Sequence, residues 1–132
     1  MIKGSCLCGG VRYEYDGEID EISICHCSQC RKAQGSAFAA VSPVATERFR
    51  ILAGAELLRE YRSSPGKVRA FCSNCGSPIY SAKDDLPQFR RLRLGTVDTS
   101  FACDNTFHIF TGSKASWWEF NDTHPRFAER KP

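Results

Sequence analysis

The stretch Cys25-His26-Cys27-Ser28-Gln29-Cys30-Arg31-Lys32-Ala33-Gln34-Gly35 places three cysteines within six residues and follows them with two cations. Ser28 is a favourable N-cap and Gly35 favours the position just beyond a helix end, so the stretch predicts one short helix. Cys30 would then lie in the first turn, where backbone N–H groups favour a thiolate. Three thiolates from one local unit leave a tetrahedral metal one ligand short, and the fourth ligand decides what the site can do.

The bulk composition is that of an ordinary globular chain. Of its 132 residues, 42% are hydrophobic and 25% are charged, and 18 basic side chains nearly balance 15 acidic ones to give a net charge of +3. This bias is too weak to indicate a nucleic-acid or membrane surface. The compact cluster Arg90-Arg91-Leu92-Arg93 alternates, and it predicts one charged face of a strand.

Length and the absence of targeting signals set further expectations. A chain of this length predicts a single domain over residues 1–132. No run approaches the ~18 apolar residues of a membrane span. The first residues lack the apolar core of a signal peptide, so we expect a cytoplasmic protein without a membrane partner. The sequence does not predict the oligomeric state.

The cysteines carry the strongest signal. Seven of the eight fall into three tight groups: Cys6/Cys8, Cys25/Cys27/Cys30 and Cys72/Cys75. A disulfide framework would need an oxidising compartment, which the sequence does not indicate. Closely spaced thiolates are the usual ligands of zinc, and an iron–sulfur cluster is the remaining alternative.

Short alternating segments separated by turn signals predict a mostly β fold with small twisted antiparallel sheets, one short helix and zinc holding the parts together. The predicted strands are 11–15, 37–41 closed by Pro43, 48–52, 57–62, 67–71, 78–83, 91–97 and 106–111.

The motif cysteines divide most simply as four plus three. Cys6/Cys8 and Cys72/Cys75 are each followed by glycine at the junction of a strand and a turn, and the second pair has the form of a zinc knuckle. Two such elements make a closed four-sulfur zinc site. A saturated zinc has no position for substrate, so this site is predicted to be structural.

Cys25, Cys27 and Cys30 then form a second site. Zinc held by three thiolates carries a net charge of −1 and keeps one position for water or an incoming ligand. A protein side chain could close that position instead, and the candidates are His26, His108, His124 and Cys103. Arg31 and Lys32 follow the trio and either bind substrate carboxylates or form a solvated helix face.

Four segments together resemble the glutathione-dependent formaldehyde-activating family, which also includes centromere protein V. They are Gly4-Ser5-Cys6-Leu7-Cys8-Gly9-Gly10-Val11-Arg12-Tyr13, Cys25 through Lys32 with Gly35, Phe71-Cys72-Ser73-Asn74-Cys75-Gly76-Ser77, and His108-Ile109-Phe110 with Ser113-Lys114-Ala115 and Trp117. The resemblance implies a β-rich fold with two zincs per chain. The structural zinc would be held by the cysteines matching Cys6, Cys8, Cys72 and Cys75, and the catalytic zinc by those matching Cys25, Cys27 and Cys30.

The resemblance also implies a function. Glutathione would be the substrate whose sulfur reaches the catalytic zinc, and a small aldehyde would be its partner. The expected enzyme is a carbon–sulfur lyase that condenses glutathione with formaldehyde to S-hydroxymethylglutathione, or a relative acting on another glutathione adduct. The alternative is a non-catalytic, zinc-stabilised binding module, which predicts a long basic extension or a strongly cationic face.

Overall fold

The computed structural model describes residues 1–132 and contains two β-sheets and one α-helix. Its elements are β1 (Ile2–Ser5), β2 (Arg12–Tyr15), β3 (Ile22–Cys25), α1 (Ser28–Gln34), β4 (Ala39–Ala45), β5 (Phe49–Ala53), β6 (Leu58–Ser64), β7 (Lys67–Cys72), β8 (Pro78–Lys83), β9 (Phe89–Arg93) and β10 (Thr106–Ile109). The prediction of a mostly β chain with one short α-helix is confirmed. None of the helices has the length and apolarity that a membrane crossing requires.

The small sheet has the order β1-β2-β5, and the large sheet has the order β10-β3-β4-β9-β8-β7-β6. Neighbouring strands are antiparallel, as predicted, except that β10 pairs with β3 in parallel. A parallel pair needs a long connection, and most of the chain lies between these two strands. The pairing places β10 at the edge of the large sheet.

Strand β4 is longer than its predicted form. Pro43 was expected to close the strand, but it lies inside β4 opposite Arg91 of β9. Strand β3 pairs with β4 only as far as Val41, so Pro43 lies beyond that pairing. A proline is tolerated there because the strand has one neighbour at this point and needs no donor on the other side.

The two faces of the large sheet have different neighbours. On one face, Leu92 and Val44 pack with Tyr13 and Phe49 of the small sheet, and these two rings stack with their centroids 5.0 Å apart. On the other face is a smaller buried cluster: Cys25, Cys30, Ala39, Val41, Phe107 and Ile109. The large sheet therefore offers one face to the main core and the other to the three-cysteine group.

Helix α1 begins one residue earlier than predicted. The N-cap is Cys27 rather than Ser28, because Cys27 has extended dihedral angles and its Sγ accepts a hydrogen bond from the Cys30 backbone N–H at 3.3 Å. Gly35 ends the helix in the left-handed conformation, with φ 62° and ψ 40°, as its place in the sequence predicts. The cap therefore fixes the Cys27 sulfur beside Cys30.

Candidate metal centres

Two strand ends bring Cys6, Cys8, Cys72 and Cys75 together. The first pair follows β1, Cys72 ends β7, and Cys75 lies in the turn before β8. All four Sγ atoms lie within 4.8 Å of one another, with 3.5 Å between Cys6 and Cys8 and 3.9 Å between Cys8 and Cys72. A tetrahedral zinc with Zn–S bonds of ~2.3 Å needs sulfurs roughly 3.8 Å apart, so the group fits one such ion.

Neutral hydrogen-bond donors surround these four sulfurs. The backbone N–H of Val11 donates to Cys6 Sγ at 3.2 Å, and Ser77 Oγ lies 3.3 Å from Cys75 Sγ. Hydrogen bonds from the side chain and backbone of Ser77 lower the pKa of Cys75 to about 5. Ser77 Oγ also accepts from the Leu7 N–H at 2.9 Å, so it connects the two halves of the site. The sequence analysis gave Ser77 no role.

The second group contains three sulfurs. Cys25 ends β3, Cys27 caps α1, and Cys30 lies in the first turn of the helix. Their Sγ atoms lie within 4.8 Å of one another, and Cys25 and Cys30 are buried. Three thiolates at this spacing fit zinc, and no fourth histidine, cysteine or carboxylate belongs to the group.

The four residues considered as a fourth ligand lie elsewhere. His26 is fully buried, and its Nε2 lies 2.8 Å from Nδ1 of His108. The Sγ of Cys103 is 3.9 Å from the carbonyl of Asn105, and His124 lies beside His108, with 6.4 Å between ring centroids. The side chain of none of them is grouped with the three sulfurs.

The two buried histidines form a chain that ends on a carboxylate. His108 Nε2 lies 3.0 Å from Oδ2 of Asp122, and the His26 ring packs among Phe38, Trp118 and Phe120. Burial, followed by the charge of His108, lowers the pKa of His26 to about 4. His26 is therefore neutral, and the packing of its ring holds the backbone between Cys25 and Cys27 in place.

Cys25 and Cys30 have pKa values shifted in opposite directions. Hydrogen bonds from Cys25 and then Cys27 lower the pKa of Cys30 far below its ordinary value, and the charges of Arg93 and Arg69 act in the same direction. Hydrogen bonding to Cys27 and then to Cys30 raises the pKa of Cys25. Cys30 therefore becomes a thiolate more readily than Cys25, and Arg69 lies next to it.

A cavity of about 1120 Å³ reaches the three-cysteine group, and all three of these cysteines line it. Seven lysine and arginine side chains line it as well, against three carboxylates. Its size is at the upper end for small-molecule sites. The cavity is much larger than a small aldehyde needs, and its walls are cationic.

The cations of strand β9 and of helix α1 differ in their position relative to the cavity. The cluster at 90–93 was expected to form one charged face of a strand, and Arg91 and Arg93 do share one face of β9. Arg93 is only 3% exposed, and both side chains line the cavity beside the three-cysteine group, a position that alternation alone does not predict. Arg31 and Lys32 do not line the cavity; Arg31 donates to the carbonyl of Ser113 at 3.4 Å, and Lys32 is exposed.

Residues 1–113 match the family model described as glutathione-dependent formaldehyde-activating enzyme. The chain belongs to this family. The match includes both cysteine groups and all strands of both sheets, and it confirms the family resemblance found in the sequence.

One relative and one solved structure illustrate what the chain is similar to. An uncharacterized lyase of Schizosaccharomyces pombe is 35% identical over 80 residues, which are 61% of this chain and 56% of the relative. The aligned part therefore spans little more than half of that relative. A crystal structure of a Rhodobacter sphaeroides protein has a TM-score of 0.62 at 24% identity and covers 75% of this chain and 90% of its own. This second likeness shows the fold.

Proposed function

We propose that the chain is a zinc-dependent carbon–sulfur lyase that condenses glutathione with formaldehyde to S-hydroxymethylglutathione, or a close relative acting on another glutathione adduct. The observation that carries this proposal is the difference between the two cysteine groups. The group of four can saturate a zinc by itself, whereas the group of three lies in the wall of a cavity without a fourth protein ligand. Family membership and the relative named as a lyase support glutathione-related lyase chemistry.

Zinc held by Cys25, Cys27 and Cys30 would supply a fourth coordination position and would lower the pKa of a thiol bound there. The chain itself holds the three ligand sulfurs through the end of β3 and the cap of α1. The lowered pKa of Cys30 favours its thiolate, which is the form that binds a cation. Phe107 and Ile109 line the same cavity and give part of it an apolar wall.

The bond changes of the proposed reaction are simple. The glutathione sulfur donates an electron pair to the carbonyl carbon, a carbon–sulfur bond forms, and the electrons of the C=O π bond move to oxygen. The thiol loses one proton and the carbonyl oxygen gains one, so the addition is balanced. The addition already proceeds without a catalyst, so orientation of the thiol accounts for a modest acceleration.

The test is the rate at which S-hydroxymethylglutathione forms from glutathione and formaldehyde, measured by NMR exchange with and without the zinc-loaded protein. We expect the protein to accelerate the reaction, and the Cys27→Ser variant to lose the acceleration together with one zinc. Cys103→Ser is the matched control, because Cys103 belongs to neither group. Equal rates with and without protein would leave the non-catalytic binding module as the better description.

A further inference from the structure

We infer that Arg69, Arg91 and Arg93, assisted by Lys67, form a carboxylate-binding subsite that selects anionic thiols. The inference concerns the thiol substrate of the proposed reaction and rests on that function. It assigns the charged end of the substrate to strands β7 and β9 of the large sheet rather than to helix α1.

Sheet register gathers these cations on one face. Arg69 of β7 lies opposite Ser81 of β8, and Ser81 lies opposite Arg91 of β9, so the three form a row across neighbouring strands. Arg93 is two residues beyond Arg91 on the same strand, and Lys67 is two residues before Arg69. Residues two apart on a strand share a face. All four cations line the cavity.

The arginines lack carboxylate partners. The ion pairs of the chain join Arg50 to Glu14, Arg62 to Asp84 and His108 to Asp122, so none involves the four cations of the subsite. Nε and Nη1 of Arg69 are buried and have no hydrogen-bond acceptor. Arg93 is almost completely buried, with an exposed fraction of 3%. Buried charges and donors without partners are costly, which indicates that a ligand supplies the acceptors.

The cysteine group accounts for only part of this charge. Nη2 of Arg69 lies 3.9 Å from Cys30 Sγ, so one edge of its guanidinium faces a thiolate. Zinc with three thiolates carries a net charge of −1, but four cations converge on this part of the cavity. The other edge of Arg69 has no acceptor, and Arg91 lies two strands away on the same face, so both can offer planar donor groups to one carboxylate. A thiol that carries a carboxylate could therefore reach the trio with its sulfur while the sheet holds its charge.

The experiment measures binding apart from turnover. S-methylglutathione keeps the carboxylates of glutathione and has no free thiol, and its affinity for the zinc-loaded protein is measured by isothermal titration calorimetry. We expect Arg91→Met and Arg69→Met each to weaken its binding roughly 10- to 100-fold, as the loss of charge-assisted hydrogen bonds predicts. Arg69→Lys is expected to recover only part of the affinity, because lysine keeps the charge and loses the planar fork.

Two control variants separate the subsite from general charge effects. Arg59→Met removes a cation from the exposed side of β6, outside the cavity, and is expected to bind like the wild type. Lys32→Met tests the competing helix site; a loss of affinity there, with Arg91→Met unchanged, would overturn the inference. Zinc content is measured for every variant, and if Arg69→Met loses zinc, Arg91→Met decides, because its side chain is not hydrogen-bonded to the sulfurs.

A thiol panel supplies the second readout. The neutral thiol N-acetylcysteamine has no carboxylate, so the preference of the wild type for glutathione over it should fall about tenfold or more in Arg91→Met. If formaldehyde condensation is accelerated and the KM for glutathione is unchanged in all the arginine variants, the subsite is wrong and the lyase proposal stands. If S-methylglutathione binding depends on the arginines while the condensation rate equals the uncatalysed one, the subsite stands and the lyase proposal fails.

Discussion

The group of four cysteines and the group of three use the same ligand atom in opposite surroundings. At the four-cysteine group, neutral donors such as the Val11 N–H and the Ser77 hydroxyl contact the sulfurs. At the three-cysteine group, Arg69 faces a sulfur and six more cations line the adjoining cavity. A zinc with four thiolates would carry −2 and a zinc with three would carry −1, so the cations gather at the less negative centre.

This difference indicates that the cations do more than balance the charge of a metal centre. If neutralisation were their only role, more cations would be expected at the four-thiolate group, because its net charge would be more negative. Its surroundings suit a centre that holds the N-terminal strand to β7 and β8. The surroundings of the three-thiolate group suit a metal centre that binds an anionic ligand entering through a cavity.

The largest expected effect comes from breaking one member of each group. Cys72 is fully buried in the main core, and Cys72→Ser should cost ~3 kcal/mol or more of folding free energy, because a structural zinc contributes directly to stability. Cys27→Ser should cost only ~1 kcal/mol, since serine is itself a good N-cap and keeps the bond to the Cys30 N–H. Thermal unfolding, with zinc content measured beside it, compares the two. Equal losses of stability would contradict the division into a structural and an open centre.

A chelator sharpens the same comparison without mutation. We expect EDTA to remove one zinc per chain quickly from the three-cysteine group, because the cavity gives access and one position is not held by protein. The second zinc should leave at least tenfold more slowly. Release is followed with a colorimetric zinc indicator, and activity should disappear with the first zinc. A single kinetic phase for both ions would contradict the structural difference.

Local spacing was enough to predict the Cys25/Cys27/Cys30 trio and each of the two cysteine pairs, because residues two or three apart at a strand end or in a turn lie close together. The two distant pairs were joined by the four ligands that a structural zinc needs. The sequence pattern also predicted most strands, since alternation and turn residues are local signals. Strand β1 was not predicted, because Ile2–Ser5 is short and ends at the cysteines rather than at a turn signal. Arg69 and Arg91 are 22 residues apart in the sequence, and only the β7-β8-β9 order places them in one row, with Ser81 between them. The subsite could not be predicted from local patterns, because sheet register creates it.

The smallest effect is a pH dependence at the edge of the subsite. Burial, followed by the charge of Arg69, lowers the pKa of Lys67 to about 8 from its ordinary value of 10.5. The ammonium is the form that attracts a carboxylate, so the affinity for S-methylglutathione should be highest below pH 8 and fall roughly three- to fivefold as the pH rises through that value.

Stability without ligand should respond to pH in the opposite direction. Because the pKa of Lys67 is lower in the folded chain than in the unfolded chain, the unfolded state binds more protons between about pH 8 and 10.5. The contribution of Lys67 to folding is therefore greatest above that window and is lost as the pH falls through it.

Lys67→Met removes both effects, so its binding curve should be flat between pH 7 and 9. A variant that kept the wild-type slope would assign the titration to another group. The loss of the slope would place Lys67 among the cations that distinguish the three-cysteine centre from its four-cysteine counterpart.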